Sequence, residues 1–114
     1  MTLEIVNRPW GTYQTVIDEP SYKVKKIVVN PNQRFSLQYH QNRSEDWIIV
    51  EGTGIIISGR KERKCITGDT FHISPLTIHR ATGGYNGLTF IEVQRGKCKE
   101  DDIVRIEDDY GRVI

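Results

Sequence analysis

Residues 38–51 read QYHQNRSEDWIIVE, so side chains with metal-binding atoms stand directly before a hydrophobic run. Side chains on an extended backbone alternate between two faces, and Gln38 and His40 are therefore predicted to share one face. A polar turn over residues 41–44 would reverse the chain and bring Glu45 back beside them. An amide oxygen, an imidazole nitrogen and a carboxylate would then converge, which is a donor set suited to a borderline divalent ion.

Short runs of β-branched and aromatic residues recur along the rest of the chain. Turn signals separate them about every 8 to 12 residues, and no segment has a sustained helical period of apolar residues. This pattern is typical of an all-β sandwich or barrel. The predicted strands cover residues 13–17, 23–29, 35–40, 46–50, 55–57, 64–67, 70–73, 77–81 and 88–94. Loops are predicted at the turn residues 51–54 and at the glycine-rich segment 83–87.

The composition indicates one domain without a strongly charged partner. The chain has 114 residues and a formal net charge of +1, which gives no electrostatic reason to expect nucleic acid or a membrane surface as partner. Cys65 and Cys98 lack CxxC spacing, and no secretory leader or membrane-spanning apolar run is recognisable. We expect a cytoplasmic protein with reduced thiols. It would form a single domain over residues 1–114, with an N-terminal arm at about 1–22 and an acidic C-terminal strap at about 97–114.

Two sets of spaced residues resemble the two sequence motifs of the cupin family. The first set is Asn32, Gln38, His40, Glu45 and Gly52, and the second is Gly68, Ser74, Leu76, His79 and Gly83. The resemblance implies an all-β cupin fold, which is a double-stranded β-helix or jelly-roll barrel of two antiparallel sheets. It also implies that the metal ligands are Gln38, His40, Glu45 and His79, with glutamine in place of the first histidine of the motif.

A narrower resemblance covers nearly the whole chain, from about residue 7 to residue 112. It is carried by RPWG at 8–11, SLQYH at 36–40, RSEDWIIV at 43–50, IEVQ at 91–94 and EDDIVRIEDDYGR at 100–112. These segments look like the type II phosphomannose isomerase domain, usually the C-terminal part of a bifunctional enzyme that also carries a GDP-mannose pyrophosphorylase. Members hold their metal with a glutamine, two histidines and a glutamate. The resemblance therefore implies a divalent metal cofactor, expected to be zinc, with manganese, cobalt or nickel as alternatives.

The reaction implied by this resemblance interconverts mannose 6-phosphate and fructose 6-phosphate by moving a proton between C2 and C1 through an enediol. Arg43, Arg105 and Arg112 match positions that are important in the isomerases, together with Glu45. Arginine suits a phosphate group because its planar fork donates two parallel hydrogen bonds. The sequence does not say which arginine meets the phosphate of the sugar phosphate substrate.

Several points stay open at this stage. The proton could be moved by Lys99, by Glu92 or by a metal-bound water. A non-catalytic sugar- or metal-binding cupin would fit the sequence HQN at residues 40–42, where typical isomerases have a run of histidines. A dioxygenase-like cupin is less favoured because such enzymes usually have a histidine at the position of Gln38. We expect a free-standing domain that forms a homodimer, as is usual in the family, and that does not make GDP-mannose.

Overall fold

Antiparallel β-strands make up the fold of residues 4–113, which are the residues that this computed structural model describes. The strands are β1 (Ile5–Arg8), β2 (Gly11–Glu19), β3 (Tyr22–Val29), β4 (Leu37–Tyr39), β5 (Arg43–Ser58), β6 (Lys61–Cys65), β7 (Thr70–Ile73), β8 (His79–Gly96) and β9 (Val104–Glu107). Within the same residues, no helix is long and apolar enough to cross a membrane.

Two long strands, β5 and β8, run through both layers of a curled sheet. The first half of β5 pairs with β7 and with the second half of β8, which in turn pairs with β3. The β1–β2 hairpin then extends the sheet, because β2 pairs with β3. The second half of β5 pairs with β6 and with the first half of β8, which continues to β4 and β9. The predicted jelly-roll barrel of two antiparallel sheets is thereby confirmed.

The two predicted loops inside β5 and β8 are wrong. Residues 51–54 and 83–87 belong to continuous strands, with register shifts between Ile49 and Glu51 and between Gly52 and Gly54. At Gly52, where φ is +82°, an added Cβ would lie 2.1 Å from the carbonyl oxygen of Gly87. The glycines therefore let two paired strands bend together from one layer into the other.

Both ends of the chain contribute strands. The segment predicted as an N-terminal arm contains β1 and β2, and β2 pairs along its length with β3. The segment predicted as a C-terminal strap contains β9, which pairs with β4. Other predicted bounds move by a few residues, since the strand predicted over 35–40 is only Leu37–Tyr39 and the one predicted over 64–67 is Lys61–Cys65.

The core lies between the two layers and is set by alternation along β5. Trp47 and Ile49 point inward and are buried, and Trp47 stacks on Phe90 with the ring centroids 4.5 Å apart. Arg43 and Glu45 lie on the same inward face, four and two residues before Trp47 respectively. One strand therefore carries the core at its middle and places charged groups inside the barrel at its beginning.

A buried arginine fastens β9 to the barrel. Arg80 is 2% exposed, and its Nε donates to the carbonyl oxygen of Phe35 at 2.8 Å while its guanidinium pairs with Glu107 at 2.7 Å. Replacing Arg80 with leucine would leave the buried Phe35 carbonyl without this donor.

We expect Arg80→Leu to lower the free energy of unfolding by about 1–3 kcal/mol, measured by urea denaturation. The matched control is Arg95→Leu, because Arg95 pairs with Asp46 at 2.7 Å on the surface, where their side chains are 60% and 41% exposed. Exposed pairs contribute about 0–1 kcal/mol. Equal losses in the two variants would contradict a fastening role for Arg80.

Candidate metal and substrate site

A cavity of about 160 Å³ opens at one end of the barrel, far larger than one water molecule requires. Every residue that the sequence predicts for the site lines it, namely Gln38, His40, Arg43, Glu45, His79, Arg105 and Arg112. The predicted metal ligands and the predicted arginines of the C-terminal segment come from different parts of the fold. The predicted metal ligands come from β4, β5, β8 and the segment after β4, whereas Arg105 and Arg112 come from the C-terminal segment.

His40, Glu45 and His79 form a compact group at the bottom of this cavity. Their ligand atoms all lie within 4.8 Å of one another, and the three side chains are buried. The Nε2 atoms of His40 and His79 lie 3.3 and 3.9 Å from the two oxygens of Glu45. Two imidazoles and a carboxylate thus converge on one point, as the motif spacing predicts.

In each imidazole a hydrogen bond at Nδ1 fixes the tautomer, so that Nε2 faces the carboxylate. Nδ1 of His40 is 2.6 Å from the carbonyl oxygen of Asp102, and Nδ1 of His79 is 2.9 Å from that of Thr77. A carbonyl oxygen only accepts, so each Nδ1 carries the hydrogen and each Nε2 presents a lone pair. Imidazoles held in this way by backbone carbonyls are typical of metal ligands.

Both imidazoles are neutral near pH 7. Burial, with smaller contributions from the charge of Arg43 and from His79, lowers the pKa of His40 to about 4. Burial also lowers the pKa of His79. The neutral form is the one that coordinates metals, because the lone pair must be free of a proton.

Gln38 reaches the cavity from β4, opposite His79 on β8. Its amide nitrogen donates to the carbonyl oxygen and the hydroxyl of Ser36 at 3.2 and 3.1 Å. Because the nitrogen is engaged, the amide oxygen is the atom left for a ligand in the cavity. Together with the histidines and Glu45, this donor set fits a divalent ion such as zinc.

Arg43 forms hydrogen bonds with two of the predicted metal ligands, Glu45 and His40. Its Nε and one terminal nitrogen each lie 2.9 Å from the same oxygen of Glu45, and that terminal nitrogen is 3.1 Å from Nε2 of His40. Trp47 donates to the other Glu45 oxygen at 3.0 Å. The Glu45 oxygen that accepts from Trp47 keeps a second lone pair for an ion. An ion on Nε2 of His40 would have to displace the hydrogen bond from Arg43.

Two further polar residues of the site are Glu92, which the sequence left as one candidate for moving the proton, and Gln94, which the sequence did not predict. They lie on the inward face of β8, where Trp47 is registered opposite Glu92 and Glu45 opposite Gln94. Burial, together with the nearby charge of Glu45, raises the pKa of Glu92 to about 7. Gln94 donates to Glu92 at 2.6 Å. The available signal was alternation, because both share the inward face of the strand with Phe90.

The outer part of the cavity is lined by basic side chains. Arg112 donates to Asp108 at 2.7 Å, in a pair whose carboxylate is fully buried. Arg105 is different, because its Nε is buried and has no hydrogen-bond partner within the described chain. Arg8, from the RPWG segment, lines the same region and was not among the predicted site residues.

The barrel and its inward-facing histidine, glutamate and glutamine side chains define a cupin domain. The chain belongs to the family described as "Mannose-6-phosphate isomerase C-terminal", whose match covers residues 2–108. This confirms the family and the fold that the sequence resemblance implied.

Curated relatives agree with this assignment. The chain is 42% identical over 109 residues to the alginate biosynthesis protein AlgA of Pseudomonas aeruginosa, 40% identical to the xanthan biosynthesis protein XanB of Xanthomonas campestris and 36% identical to a mannose-1-phosphate guanylyltransferase of Klebsiella pneumoniae. Each alignment covers 94% of this chain and 23% of the relative. The chain therefore spans about a quarter of the length of these relatives.

Solved structures show the fold. A cupin-2 domain from Rhodospirillum rubrum superimposes with a TM-score of 0.76 at 16% identity, covering 88% of this chain and 78% of that one. Oxalate decarboxylase from Bacillus subtilis gives a TM-score of 0.82 at 12% identity, covering 91% of this chain and 30% of that one. At these identities the likeness extends to the barrel and not to the chemistry.

Proposed function

We propose that this domain is a metal-dependent isomerase that interconverts mannose 6-phosphate and fructose 6-phosphate. The observation that carries the proposal is the convergence of two neutral imidazoles and a carboxylate in a cavity that also presents arginines. Membership of the isomerase family supports a sugar phosphate as the substrate class. An aldose-ketose isomerase needs a group that polarises the carbonyl, a group that moves a proton and a cationic site for phosphate, and the cavity has candidates for all three.

Gln38, His40, Glu45 and His79 would hold the divalent ion, with zinc as the expected metal and manganese, cobalt or nickel as alternatives. When bound, the ion would act as a Lewis acid on the sugar carbonyl. Arg43 serves this site by holding Glu45 and His40 in place through its hydrogen bonds at 2.9 and 3.1 Å. We therefore assign Arg43 a positioning role, and leave the phosphate to other arginines.

Glu92 is the residue that we propose moves the proton between C2 and C1. It is buried, it lines the cavity, and it lies beside Glu45. Lys99, which the sequence left as an alternative, is exposed and reaches Arg43 only through its backbone carbonyl. A carboxyl group inside the cavity is within reach of a bound sugar, whereas an exposed ammonium group outside it is not.

A second candidate is a non-catalytic sugar- or metal-binding cupin. The hydrogen bond from Arg43 to Nε2 of His40 favours it, because this bond uses the lone pair that an ion needs. In that case the cavity would bind a sugar phosphate without converting it. Metal-dependent turnover separates the two candidates.

We also propose that the domain works in the cytoplasm as a homodimer. Four strands, β1, β6, β7 and β9, each pair with a single neighbour in the described chain, so their other edges are free to pair. Exposed strand edges are a physical motive for association with a second copy.

The test is a coupled assay of mannose 6-phosphate conversion on metal-stripped protein, with zinc, manganese, cobalt or nickel restored singly. We expect at least one metal to restore turnover, and His40→Ala to abolish it, because the substitution removes a ligand. His72→Ala is the matched control, since His72 lies on the surface and pairs with Asp46 at 2.6 Å. Folded protein that shows no turnover with any of the four metals would favour the binding module.

A further inference from the structure

The cavity holds more positive charge than its own carboxylates balance. Five basic side chains line it, namely Arg8, Lys25, Arg43, Arg105 and Arg112. Three of them have carboxylate partners, because Arg43 pairs with Glu45, Lys25 with Glu100 and Arg112 with Asp108. Within residues 4–113, Arg8 and Arg105 form no ion pair, so two guanidinium groups line the cavity without a paired carboxylate.

Arg8 is held at the edge of the cavity by an aromatic ring. Its guanidinium carbon lies 5.3 Å from the ring centroid of Tyr13, and one terminal nitrogen is 3.4 Å from the Tyr13 hydroxyl. The ammonium group of Lys25 lies 4.4 Å from the same centroid. Two cations thus share one aromatic ring, and cation–π contact positions Arg8 without neutralising it.

Arg105 carries a donor that nothing in the described chain accepts. Its Nε is buried and lacks a hydrogen-bond partner. Burial lowers the pKa of its guanidinium, and so do the charges of Arg112 and Arg8, although the charge of Asp108 acts in the opposite direction. A buried N–H without an acceptor costs free energy that a bound anion would recover.

Arg105 also lies next to the predicted metal ligands. On β9 it is registered opposite Gln38 of β4. A ligand bound at the histidine cluster could therefore also contact Arg105. Arg112 lines the same cavity, and Asp108 partly balances its charge. It can therefore add to the binding of an anion but would contribute less than Arg8 or Arg105.

We propose that Arg8 and Arg105, supplemented by Arg112, form a binding site for a phosphomonoester dianion. Such an anion needs several N–H donors and more than one positive charge, and the planar guanidinium fork matches its oxygens. Arg43 is excluded because its Nε and one terminal nitrogen already donate to Glu45 and His40. The identification of the anion with the phosphate of a sugar phosphate rests on the proposed function, whereas anion binding itself does not.

The test is isothermal titration of the 114-residue chain with inorganic phosphate at fixed ionic strength. Arg8→Gln and Arg105→Gln are each expected to weaken binding roughly tenfold or more, since each removes charge-assisted hydrogen bonds. Arg60→Gln is the matched control, because Arg60 is exposed at the turn between β5 and β6 and does not line the cavity. Phosphate binding that survives both substitutions, or that only Arg43→Gln removes, would overturn the assignment.

Two further measurements distinguish the loss of this anion site from misfolding and from a failure of the proposed function. Arg8 is exposed, and the buried Nε of Arg105 has no partner to lose, so both glutamine variants are expected to melt near the wild-type temperature. Phosphate binding that depends on Arg8 in a protein without isomerase turnover would support the anion site and remove the proposed function. Turnover with a KM for mannose 6-phosphate that Arg8→Gln leaves unchanged would support the proposed function and contradict the anion site.

Discussion

Replacing Glu92 with glutamine is expected to lower the kcat of mannose 6-phosphate isomerisation by about 10²–10⁴-fold, the usual contribution of a positioned acid–base group. The substitution keeps the size of the side chain and a carbonyl oxygen that can accept the hydrogen bond from Gln94. It removes the group that can accept and return a proton. The loss should therefore fall on the chemical step and not on packing.

The decisive readout is proton exchange measured in deuterated water. If Glu92 carries the proton, wild-type protein should incorporate deuterium at the carbon that receives it, and Glu92→Gln should not. Bound metal is counted in both proteins, because Glu92 lies beside the predicted ligand Glu45. Glu100→Gln is the control, since Glu100 lines the same cavity but is paired with Lys25, and it is expected to keep most of the exchange. Full exchange by metal-loaded Glu92→Gln would assign the proton to another group.

The positions of the site residues could be predicted from sequence because motif spacing survives folding. Gln38 and His40 share a face on an extended segment, Glu45 follows a short turn, and His79 begins β8, where it is registered opposite Gln38. These relations depend on strand alternation and on one pairing. All of these relations are local in sequence except the pairing of His79 with Gln38, which the second cupin motif indicated.

The partners of those residues could not be predicted. Arg43 matched a position of known importance, but only coordinates show that it donates to Glu45 and His40. Glu92 becomes part of the site because β8 pairs with β5 in a register that sets it opposite Trp47. Arg8 reaches the cavity through the β1–β2 hairpin. The placements of Glu92 and Arg8 depend on strand pairing. The partners of Arg43 lie within three residues of it, but its contacts with them depend on how its side chain is buried in the barrel.

At the glycine clusters the local sequence predicts a loop, whereas the structure has continuous strands. Glycine clusters at residues 52–54 and 83–87 are typical of loops, because glycine weakens a strand. In this barrel they lie where β5 and β8 bend together between the layers. Close backbone approach selects glycine there, and that requirement exists only once both strands are paired.

Gly52→Ala is therefore expected to destabilise the fold severely, by more than about 3 kcal/mol in the free energy of unfolding. The residue has φ of +82°, and the new Cβ would lie 2.1 Å from the carbonyl oxygen of Gly87. The clash is with backbone of the paired strand, so it can be relieved only by separating β5 from β8 where they cross between layers. Gly68→Ala is the matched control, because Gly68 has φ of +95° but nothing within 4 Å of the added atom. It should cost only the conformational strain, about 1–2 kcal/mol. Urea denaturation of both variants measures the difference, and equal costs would mean that strain at positive φ, and not close strand packing, explains the glycine.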